Sequence, residues 1–308
     1  MIQFFKLIRW QNLMMIALVQ ILIRYALLLP FYESHGVVNA LTPLAFCLLV
    51  IATLCIAAGG YVINDIYDIE ADKINKAHSV IVGHTISEKT ALIIFIVLNV
   101  VGVGIGYYLS NGIDKSGYFV LFFIASALLY IYSSYLKQVL LAGNLIISFI
   151  VALSILLVGI FELLPAITDS NRPVQIFFFK LILDYATFAF MINFIREIVK
   201  DIEDIDGDYK VGMQTLPIML GRDRSTKIAF VLSLIPLFAV VYYVINNLFK
   251  QQLLVGYFLI FVIAPLIYIT IKLFSAEHKS HFSHISLILK LVMLTGMLSM
   301  AFYPYILK

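Results

Sequence analysis

The sequence predicts an all-α polytopic membrane protein, a bundle of nine transmembrane helices with a polar cavity at its cytoplasmic side. Of its 308 residues, 62% are hydrophobic and only 13% are charged, and the mean hydropathy is +1.01. Apolar stretches of about 20 residues, the length that crosses a bilayer core, recur along the whole chain. Because this composition lies far outside the range of soluble globular domains, a soluble all-α fold is set aside.

Nine apolar segments account for the bundle. They run over residues 13–31, 41–63, 90–109, 118–136, 141–163, 176–196, 228–247, 253–272 and 285–306. No polar stretch is long enough for a further soluble domain, so residues 1–308 are expected to form a single domain. The first segment follows Lys6 and Arg9, as a signal peptide would, but it is long, lacks a small-residue cleavage site and carries Arg24. We therefore expect it to be retained as a span.

The charges of the loops predict the orientation of the bundle. On the side of the N-terminus we count 14 basic residues, against five on the opposite side. The positive-inside rule therefore places the N-terminus in the cytoplasm, in a multi-pass cell membrane protein. The two longest connections, 64–89 and 197–227, lie on the same side, and long loops confined to one face commonly carry function.

Charge and cysteine content exclude two other interpretations. The net charge of +3 is small and the basic residues are scattered, so no nucleic-acid partner is expected. Cys47 and Cys55 both fall inside one span and are interpreted as small packing residues rather than as a redox pair.

The first acidic cluster, N-D-I-Y-D-I-E-A-D at 64–72, directly follows the second apolar segment. If the helix continues, Asn64, Asp68 and Asp72 lie four residues apart on one face. Helix ends at a membrane surface usually favour Lys and Arg, so four acids within eight residues are unusual there. Three oxygen-bearing side chains on one face form half of a site for a hard cation such as Mg²⁺.

The second acidic cluster, R-E-I-V-K-D-I-E-D-I-D-G-D-Y-K-V-G at 196–212, follows the sixth span. Glu197, Asp201, Asp204 and Asp208 are spaced four, three and four residues apart, so a continuing helix aligns them. Such crowding of like charges is destabilising unless a cation neutralises it. A calcium-binding EF-hand loop around D-I-D-G is excluded, because its first and twelfth positions would be apolar. We expect the two clusters to face each other across one metal and diphosphate site.

A very short inner loop between the fourth and fifth spans follows Y-S-S-Y-L-K at 132–137 and precedes Gly143 and Asn144. Lys137 is the one cation of this loop and could simply anchor it at the positive-inside face. Beside two metal-binding clusters, a lysine point charge on a diphosphate is the better interpretation. Tyr132 is a further candidate for substrate contact.

Five other polar residues receive structural interpretations. His278, His281 and His284 recur every three residues before the last span, which is not a standard zinc spacing, so an interfacial helix end is favoured over a metal site. Arg24 and Asp184 lie within or near spans and are expected to face the bundle interior. The sequence alone does not identify a partner for either.

Together these motifs resemble the UbiA-type intramembrane prenyltransferases. The resemblance rests on N-D-x-x-D-x-x-x-D at 64–72, on D-x-x-x-D at 204–208 with the K-V-G and T-L-P that follow, and on Y-S-x-x-L-K between them. It covers nearly the whole chain, because the nine spans and the two acidic loops also agree. It implies a Mg²⁺-bound diphosphate and a lysine in contact with it. The implied metal ligands are Asn64, Asp68, Asp72, Asp204 and Asp208, with Lys137 on the diphosphate. We expect the four aspartates of this set to be the catalytic residues, and we expect substrate contacts from Asn64, Lys137, Tyr132 and Asp201.

One segment departs from the family pattern. Many relatives carry an N-R-P-like arginine segment soon after the first motif, which helps to hold the diphosphate. Here the corresponding stretch is N-K-A-H-S-V-I-V-G at 75–83, and Ser79 stands where that arginine would be. Lys73, Lys76 or His78 could substitute for it in part.

The resemblance also orders the possible functions. R-E-I-V-K-D-I-E-D with the following G-D looks most like the branch of archaeal-type geranylgeranylglyceryl phosphate geranylgeranyltransferases. The expected function is Mg²⁺-dependent transfer of a prenyl group from a prenyl diphosphate to a lipid-type or aromatic acceptor, with the lipid type favoured. Ionisation of the diphosphate would leave a carbocation sheltered by aromatic walls, for which the chain has 24 Phe and 18 Tyr.

Two alternatives stay open at this point. The acceptor could be an aromatic quinone precursor, or the acids could serve a cation-coupled transporter. Transporters place ionisable residues near the bilayer midplane, whereas these acids follow the ends of spans, which favours the enzyme.

Overall fold

The computed structural model describes residues 2–75 and 80–306, so Lys76, His78 and Ser79 lie outside the described residues. Within these ranges, nine helices are long and apolar enough to cross a membrane, which confirms the predicted all-α membrane bundle. They are α1 (Trp10–His35), α2 (Pro43–Tyr67), α3 (Glu88–Gly112), α4 (Ser116–Ser134), α5 (Ala142–Ala166), α6 (Arg172–Lys210), α7 (Arg222–Leu248), α8 (Gln252–Phe274) and α9 (Lys279–Ile306).

The largest difference from the predicted spans is the length of α6. The sixth apolar segment was predicted to end at residue 196, but α6 has 39 residues and continues without a break to Lys210. Hydropathy falls at residue 196 because the side chains become charged, yet Glu, Lys and Arg are good helix formers. The second acidic cluster therefore lies on the same continuous helix as the apolar segment.

Helix α6 also joins the two halves of the hydrophobic core. Phe178 and Ile182 in its first half pack with residues of α1, α2, α4 and α5. Ile195 and Ile198 in its second half pack with residues of α7, α8 and α9. Because α6 packs in both of these hydrophobic clusters, the whole bundle fixes the position of the second acidic cluster at its end.

A buried ion pair holds the end of the bundle opposite the acidic clusters. Arg24 of α1 faces the interior, as expected, and its guanidinium binds the carboxylate of Glu162 at the end of α5. Both side chains are buried, at 3% and 0% exposure. The backbone of Leu41 completes the contact, since its N–H donates to Glu162 Oε2 at 3.2 Å and its carbonyl accepts from Arg24 Nη2 at 3.0 Å. Asp184, the other polar residue expected to face inward, lines an internal cavity.

The outer surface and the histidine segment agree with a membrane location. Large apolar side chains such as Leu44 and Phe274 are 72% and 80% exposed, as lipid-facing residues would be. The three histidines fall at the beginning of α9, where the Nδ1 atom of His281 accepts from the Glu277 backbone N–H at 3.3 Å. His284 contacts the Tyr268 hydroxyl at 3.1 Å. These contacts belong to a helix end.

Candidate active site

The first acidic cluster lies on a helix that breaks at its central aspartate. Helix α2 ends at Tyr67 and a short helix, Ile69–Asn75, begins after Asp68, whose φ and ψ are −93° and 2°. The expected unbroken helix is therefore interrupted at this residue. Backbone hydrogen bonds still cross the break, from Asp68 N–H to Asn64 O at 2.9 Å and from Asp72 N–H to Asp68 O at 2.8 Å. The side chains of Asn64, Asp68 and Asp72 consequently line the same cavity.

Asp68 is the buried acid of the first cluster, with 4% of its surface exposed. Its Oδ2 atom accepts a hydrogen bond from Asn64 Nδ2 at 2.6 Å and another from the ammonium of Lys137. Lys137 reaches it from a 3₁₀ turn, Leu136–Gln138, between α4 and α5. The cation and the amide together compensate the charge of a carboxylate that is removed from water.

Lys137 is kept charged by its surroundings. Burial lowers the pKa of the ammonium, but the attraction of Asp68 and Tyr132 outweighs that effect and raises the pKa above its ordinary value. The start of α5 packs closely beneath the turn, since a Cβ on Gly143 would lie 3.0 Å from both the Lys137 Cα and the Tyr132 ring. A glycine at this position therefore fixes where the turn sits.

The second acidic cluster faces the first from the continuous helix α6. Glu197, Asp201, Asp204 and Asp208 all line the same cavity as the first cluster, as the predicted helical alignment requires. Asp201 Oδ2 accepts from Asn144 Nδ2 at 2.7 Å. This contact ties α6 to the first turn of α5, immediately beyond the Lys137 turn.

Asn75 clamps the two acidic clusters together. It ends the short helix of the first cluster, and its Nδ2 atom donates to the Asp204 carbonyl at 2.9 Å. Its Oδ1 atom accepts from the Gly207 N–H at 2.9 Å. A Cβ on Gly207 would lie only 2.4 Å from the Asn75 amide, so this approach requires glycine. A further hydrogen bond joins Lys279 Nζ at the start of α9 to the Asn75 carbonyl at 3.1 Å.

The cavity between the clusters, called the acidic cavity below, has an empty volume of about 1460 Å³ counted out to its open mouth. All eight residues predicted for the site line it, so the structure brings together every one of them. They are Asn64, Asp68, Asp72, Tyr132, Lys137, Asp201, Asp204 and Asp208. The inner wall is apolar and includes Ile56, Phe122, Leu129 and Leu153. A ligand with an anionic head and a hydrocarbon tail matches this division.

Arg9 closes one side of the acidic cavity. Its Nη2 atom binds Asp65 Oδ1 at 2.9 Å, and its guanidinium lies 5.0 Å from the centre of the Tyr61 ring. Burial lowers the pKa of Arg9, but the carboxylate of Asp65 and the phenol of Tyr61 more than reverse this, and the pKa is raised. Asp65 is thus neutralised within the fold, which separates it from the acids that line the cavity.

The chemistry of the cavity suits Mg²⁺. Its walls offer carboxylate and amide oxygens, the donors that this hard cation prefers, and no thiol is among the lining residues. Within residues 2–75 and 80–306, no three His, Cys, Asp or Glu side chains gather into a group that could hold a metal ion by themselves. Mg²⁺ commonly takes only one or two carboxylates and completes its shell with water and substrate phosphate. Acids on two opposite walls fit that mode of binding.

Several residues of the cavity were missed by the sequence analysis. Asn75 was noted only as the start of the departing segment, although it follows Asp72 by three residues and thus shares its helix face. Asn144 was noted beside Gly143 without a role. Asn193 and Arg196 also line the cavity, and on α6 Asn193 precedes Glu197 by four residues and Arg196 precedes Asp204 by eight, both helical spacings. The periodicity of α6 could have indicated the last two, whereas the contacts of Asn75 join residues 129 and 132 positions apart.

Sequence comparison identifies relatives over most of the chain. The UbiA prenyltransferase family matches residues 22–294. A digeranylgeranylglyceryl phosphate synthase of Methanosphaera stadtmanae is 32% identical over 262 residues, which cover 82% of this chain and 86% of that protein. A protein of the same name from Sulfolobus acidocaldarius is 39% identical over 188 residues, or 61% of this chain and 62% of that protein.

Solved structures share the fold. One, concerned with digeranylgeranylglyceryl phosphate synthase in membranes, has a TM-score of 0.60 and 23% identity and covers 97% of this chain and 98% of that chain. A UbiA homolog from Archaeoglobus fulgidus bound to DMAPP and Mg²⁺ has a TM-score of 0.55 and 16% identity, covering 97% and 99%. At these identities the likeness concerns the arrangement of helices.

In the part of the chain that the structure describes, nine long apolar helices surround a cavity with two acidic walls, and together with these matches they define a polytopic membrane prenyltransferase. The chain belongs to the UbiA prenyltransferase family, as the motif resemblance predicted. The alternative of a cation-coupled transporter is thereby set aside.

Proposed function

We propose that this protein transfers a geranylgeranyl group from geranylgeranyl diphosphate to the free hydroxyl of a glycerophosphate-type lipid, with Mg²⁺ as its cofactor. The observation that carries the proposal is the acidic cavity, where both acidic clusters and Lys137 surround an opening with an apolar inner wall. The relatives named digeranylgeranylglyceryl phosphate synthase support the acceptor class, because that product carries two geranylgeranyl groups on glyceryl phosphate.

The reaction exchanges one carbon–oxygen bond for another. The bond between C1 of the prenyl chain and the diphosphate oxygen breaks, and its electron pair leaves with the diphosphate. The acceptor hydroxyl oxygen then donates an electron pair to the cationic C1 and forms an ether, while its proton passes to water or to the departing diphosphate. No covalent enzyme intermediate is needed, so the protein must bind the diphosphate, stabilise the charge that develops and exclude water.

The polar wall supplies the diphosphate end of this site. When bound, Mg²⁺ supplies positive charge that stabilises the leaving diphosphate. Lys137 provides a fixed cation beside Asp68, and its raised pKa keeps it charged at neutral pH. Asp201 and Tyr132 flank these groups and are assigned to substrate contact. The residues assigned to hold the metal are Asn64, Asp68, Asp72, Asp204 and Asp208.

The apolar wall accommodates the prenyl chain and protects the cation. Ile56, Leu129 and Leu153 offer hydrocarbon contact without nucleophilic groups. The Phe122 ring is at most 1% exposed and contributes a π face that tolerates positive charge. Water would capture the allylic cation as an alcohol, so a dry wall next to C1 favours capture by the acceptor.

The acidic cavity is proposed to open to the cytoplasm, as loop charge predicts. In protein with Cys47 and Cys55 replaced by Ala, a single cysteine at Lys89→Cys is expected to react with a membrane-impermeant thiol reagent only after the inner face is made accessible. Lys89 is exposed at the start of α3, two residues beyond the helix-capping Ser87. Lys115→Cys in an outer turn is the matched control and should react in intact cells. The opposite labelling pattern would reverse the assignment.

A direct assay tests the reaction, the acceptor and the metal together. Purified protein with Mg²⁺ and labelled geranylgeranyl diphosphate is offered geranylgeranylglyceryl phosphate, a hydroxybenzoate and a dihydroxynaphthoate. Labelled ether lipid is the expected product, lost in excess EDTA and restored by Mg²⁺ or Mn²⁺. Product on an aromatic acid alone would contradict the acceptor, and full turnover in EDTA would contradict the cofactor.

A further inference from the structure

A second cavity, called the apolar cavity below, adjoins the acidic cavity and has an empty volume of about 1140 Å³. Its walls come from α1, α2, α5, α6, α7, α8 and α9, and most of the lining side chains are aliphatic, aromatic or methionine. Asn12, Tyr61, Asn193 and Arg196 line both cavities, so the two spaces meet at a common polar wall. The volume of the apolar cavity is counted out to its open mouth, and the aliphatic and aromatic walls suit a hydrocarbon chain.

Two cations stand at this apolar cavity. Arg196 of α6 lines both spaces, whereas Lys290 of α9 lines only the apolar one. Both side chains line this cavity, so two positive charges face a common space. The Nη1 atom of Arg196 donates a hydrogen bond to Glu197 Oε1 at 3.0 Å. Burying two cations inside a membrane bundle costs free energy. Charged residues in such a position are therefore expected to bind an anion.

The contacts of these side chains leave donors for a ligand. Lys290 Nζ donates to Asn12 Oδ1 at 2.7 Å, a neutral acceptor that orients the ammonium without neutralising it. The Nε atom of Arg196 is buried, and nothing among the described residues accepts a hydrogen bond from it. Asp184, the acid of the same cavity, lies 12 residues before Arg196 on α6. That separation is about 18 Å along the helix, too far for a direct pair.

We infer that Arg196 and Lys290 bind the phosphate of the acceptor lipid, while its hydrocarbon chain occupies the apolar cavity. A guanidinium fork with a neighbouring ammonium is well suited to a phosphate monoester. This inference rests on the proposed function, because it assigns the second substrate of the same reaction.

The spacing along α6 agrees with a two-substrate arrangement. Asp204, assigned to the metal and the donor diphosphate, follows Arg196 by eight residues. Eight residues correspond to about 12 Å along the helix, which keeps two multiply charged phosphate groups apart. The glycerol between the acceptor's phosphate and its hydrocarbon chain would then lie near the common polar wall, with its hydroxyl turned toward the acidic cavity.

Steady-state kinetics of the full chain test this inference. The probes are geranylgeranylglyceryl phosphate and its dephosphorylated analogue, geranylgeranylglycerol, each with Mg²⁺ and geranylgeranyl diphosphate. Wild-type protein should prefer the phosphate by at least about 10-fold in kcat/KM, the effect of a charge-assisted contact. Lys290→Gln should raise KM for the phosphate about 10-fold, while the KM for the donor and for the analogue stays within about 2-fold. Lys290→Arg, which keeps the charge, should restore the wild-type KM.

Lys250→Gln is the matched control, because Lys250 is exposed and lines neither cavity. An unchanged acceptor KM in Lys290→Gln, or a rise in donor KM instead, overturns the phosphate site while leaving the proposed transfer standing. If wild-type protein prenylates neither glycerol lipid, the proposed acceptor has failed, and this inference fails with it. Should Lys290→Gln not fold, the wild-type comparison decides, since equal kcat/KM for the two glycerol lipids contradicts a phosphate site.

Discussion

The two acidic clusters present carboxylates to one cavity, but the protein holds them in different ways. The first lies on a helix that breaks at Asp68, and cations neutralise it from elsewhere in the fold, with Arg9 on Asp65 and Lys137 on Asp68. The second lies on the unbroken helix α6, where Asn144 binds Asp201 and Arg196 binds Glu197. The first cluster is thus interrupted at its central acid, whereas the second is carried on one continuous helix.

The difference indicates how such a site stays folded without a ligand. A buried carboxylate needs compensation, and in the first cluster the protein supplies it with Lys137. In the second cluster the continuous helix keeps the acids in register, although crowding of like charge opposes that arrangement. We therefore expect the removal of one carboxylate to affect the stability of the two clusters differently.

The largest expected effect comes from removing one charge from either cluster. Asp68→Asn and Asp204→Asn keep the side-chain shape but lose a charged oxygen that is assigned to the metal. Turnover of geranylgeranyl diphosphate should fall by roughly 100-fold or more in each variant, because stabilisation of the leaving group is lost. Product formation and thermal unfolding in detergent are measured side by side.

In the absence of metal, the same two variants are expected to change the unfolding temperature in opposite directions. Asp204→Asn should hold or raise the unfolding temperature, since it relieves repulsion on α6. Asp68→Asn should lower it, because the carboxylate that neutralises Lys137 is removed. Asp114→Asn is the control for both, since Asp114 lies in an exposed outer turn at φ 54°, a conformation that Asn tolerates. Equal shifts in the two variants would contradict the proposed difference.

A smaller effect is expected at Lys137. Lys137→Gln should reduce turnover about 10-fold, since one fixed cation beside the diphosphate is lost. Because the folded-state pKa of Lys137 is raised, its stabilising charge is fully present below the unfolded pKa and is lost only at more alkaline pH. The difference in unfolding free energy between wild type and variant should therefore stay constant from about pH 6 to pH 9.

Lys89→Gln, an exposed lysine of the same face, is the control for the lysine variant and should retain wild-type turnover. A stability difference that increases as the pH rises from neutral toward about pH 10 would mean that the folded-state pKa of Lys137 lies below its ordinary value. That outcome would show that the ion pair with Asp68 does not stabilise the charged form of Lys137.

The smallest effect is expected at the clamp between the clusters. A Cβ at Gly207 would meet the Asn75 amide at 2.4 Å, so Gly207→Ala should displace the clamp. We expect turnover to fall about 5-fold, since the groups move apart without losing their charges. Gly104→Ala is the matched control, because nothing lies within 4 Å of a Cβ there. Wild-type kinetics in Gly207→Ala would show that Asn75 does not set the distance between the clusters.

The sequence predicts the bundle, and it predicts which acids share one helix face, because both depend on local patterns. Nine apolar segments follow from hydropathy, and the spacing of Glu197, Asp201, Asp204 and Asp208 follows from the helical repeat. Contacts across long separations leave no such pattern. The pair of Arg24 and Glu162 joins residues 138 positions apart, and no rule of spacing identifies it.

The break at Asp68 is a second feature that the sequence did not reveal. No Pro or Gly marks the position, and the polar residues on both sides, Asn64 and Asp72, keep the four-residue spacing of a helix. The contact of Lys137 with Asp68 forms only when α4 and α5 have packed. Tertiary contacts therefore decide the local backbone, which propensity alone does not predict.

The central claim is that the two acidic clusters act on one diphosphate, and a double-mutant cycle tests it most directly. Single-turnover rates with geranylgeranyl diphosphate and Mg²⁺ are measured for wild type, Asp68→Asn, Asp204→Asn and the double variant, each confirmed as folded. If both clusters serve one site, the double variant should lose about as much as the more damaged single variant, because the shared function is already gone. If the losses multiply, to about 10⁴-fold from two 100-fold effects, the clusters act independently and the single-site account is wrong.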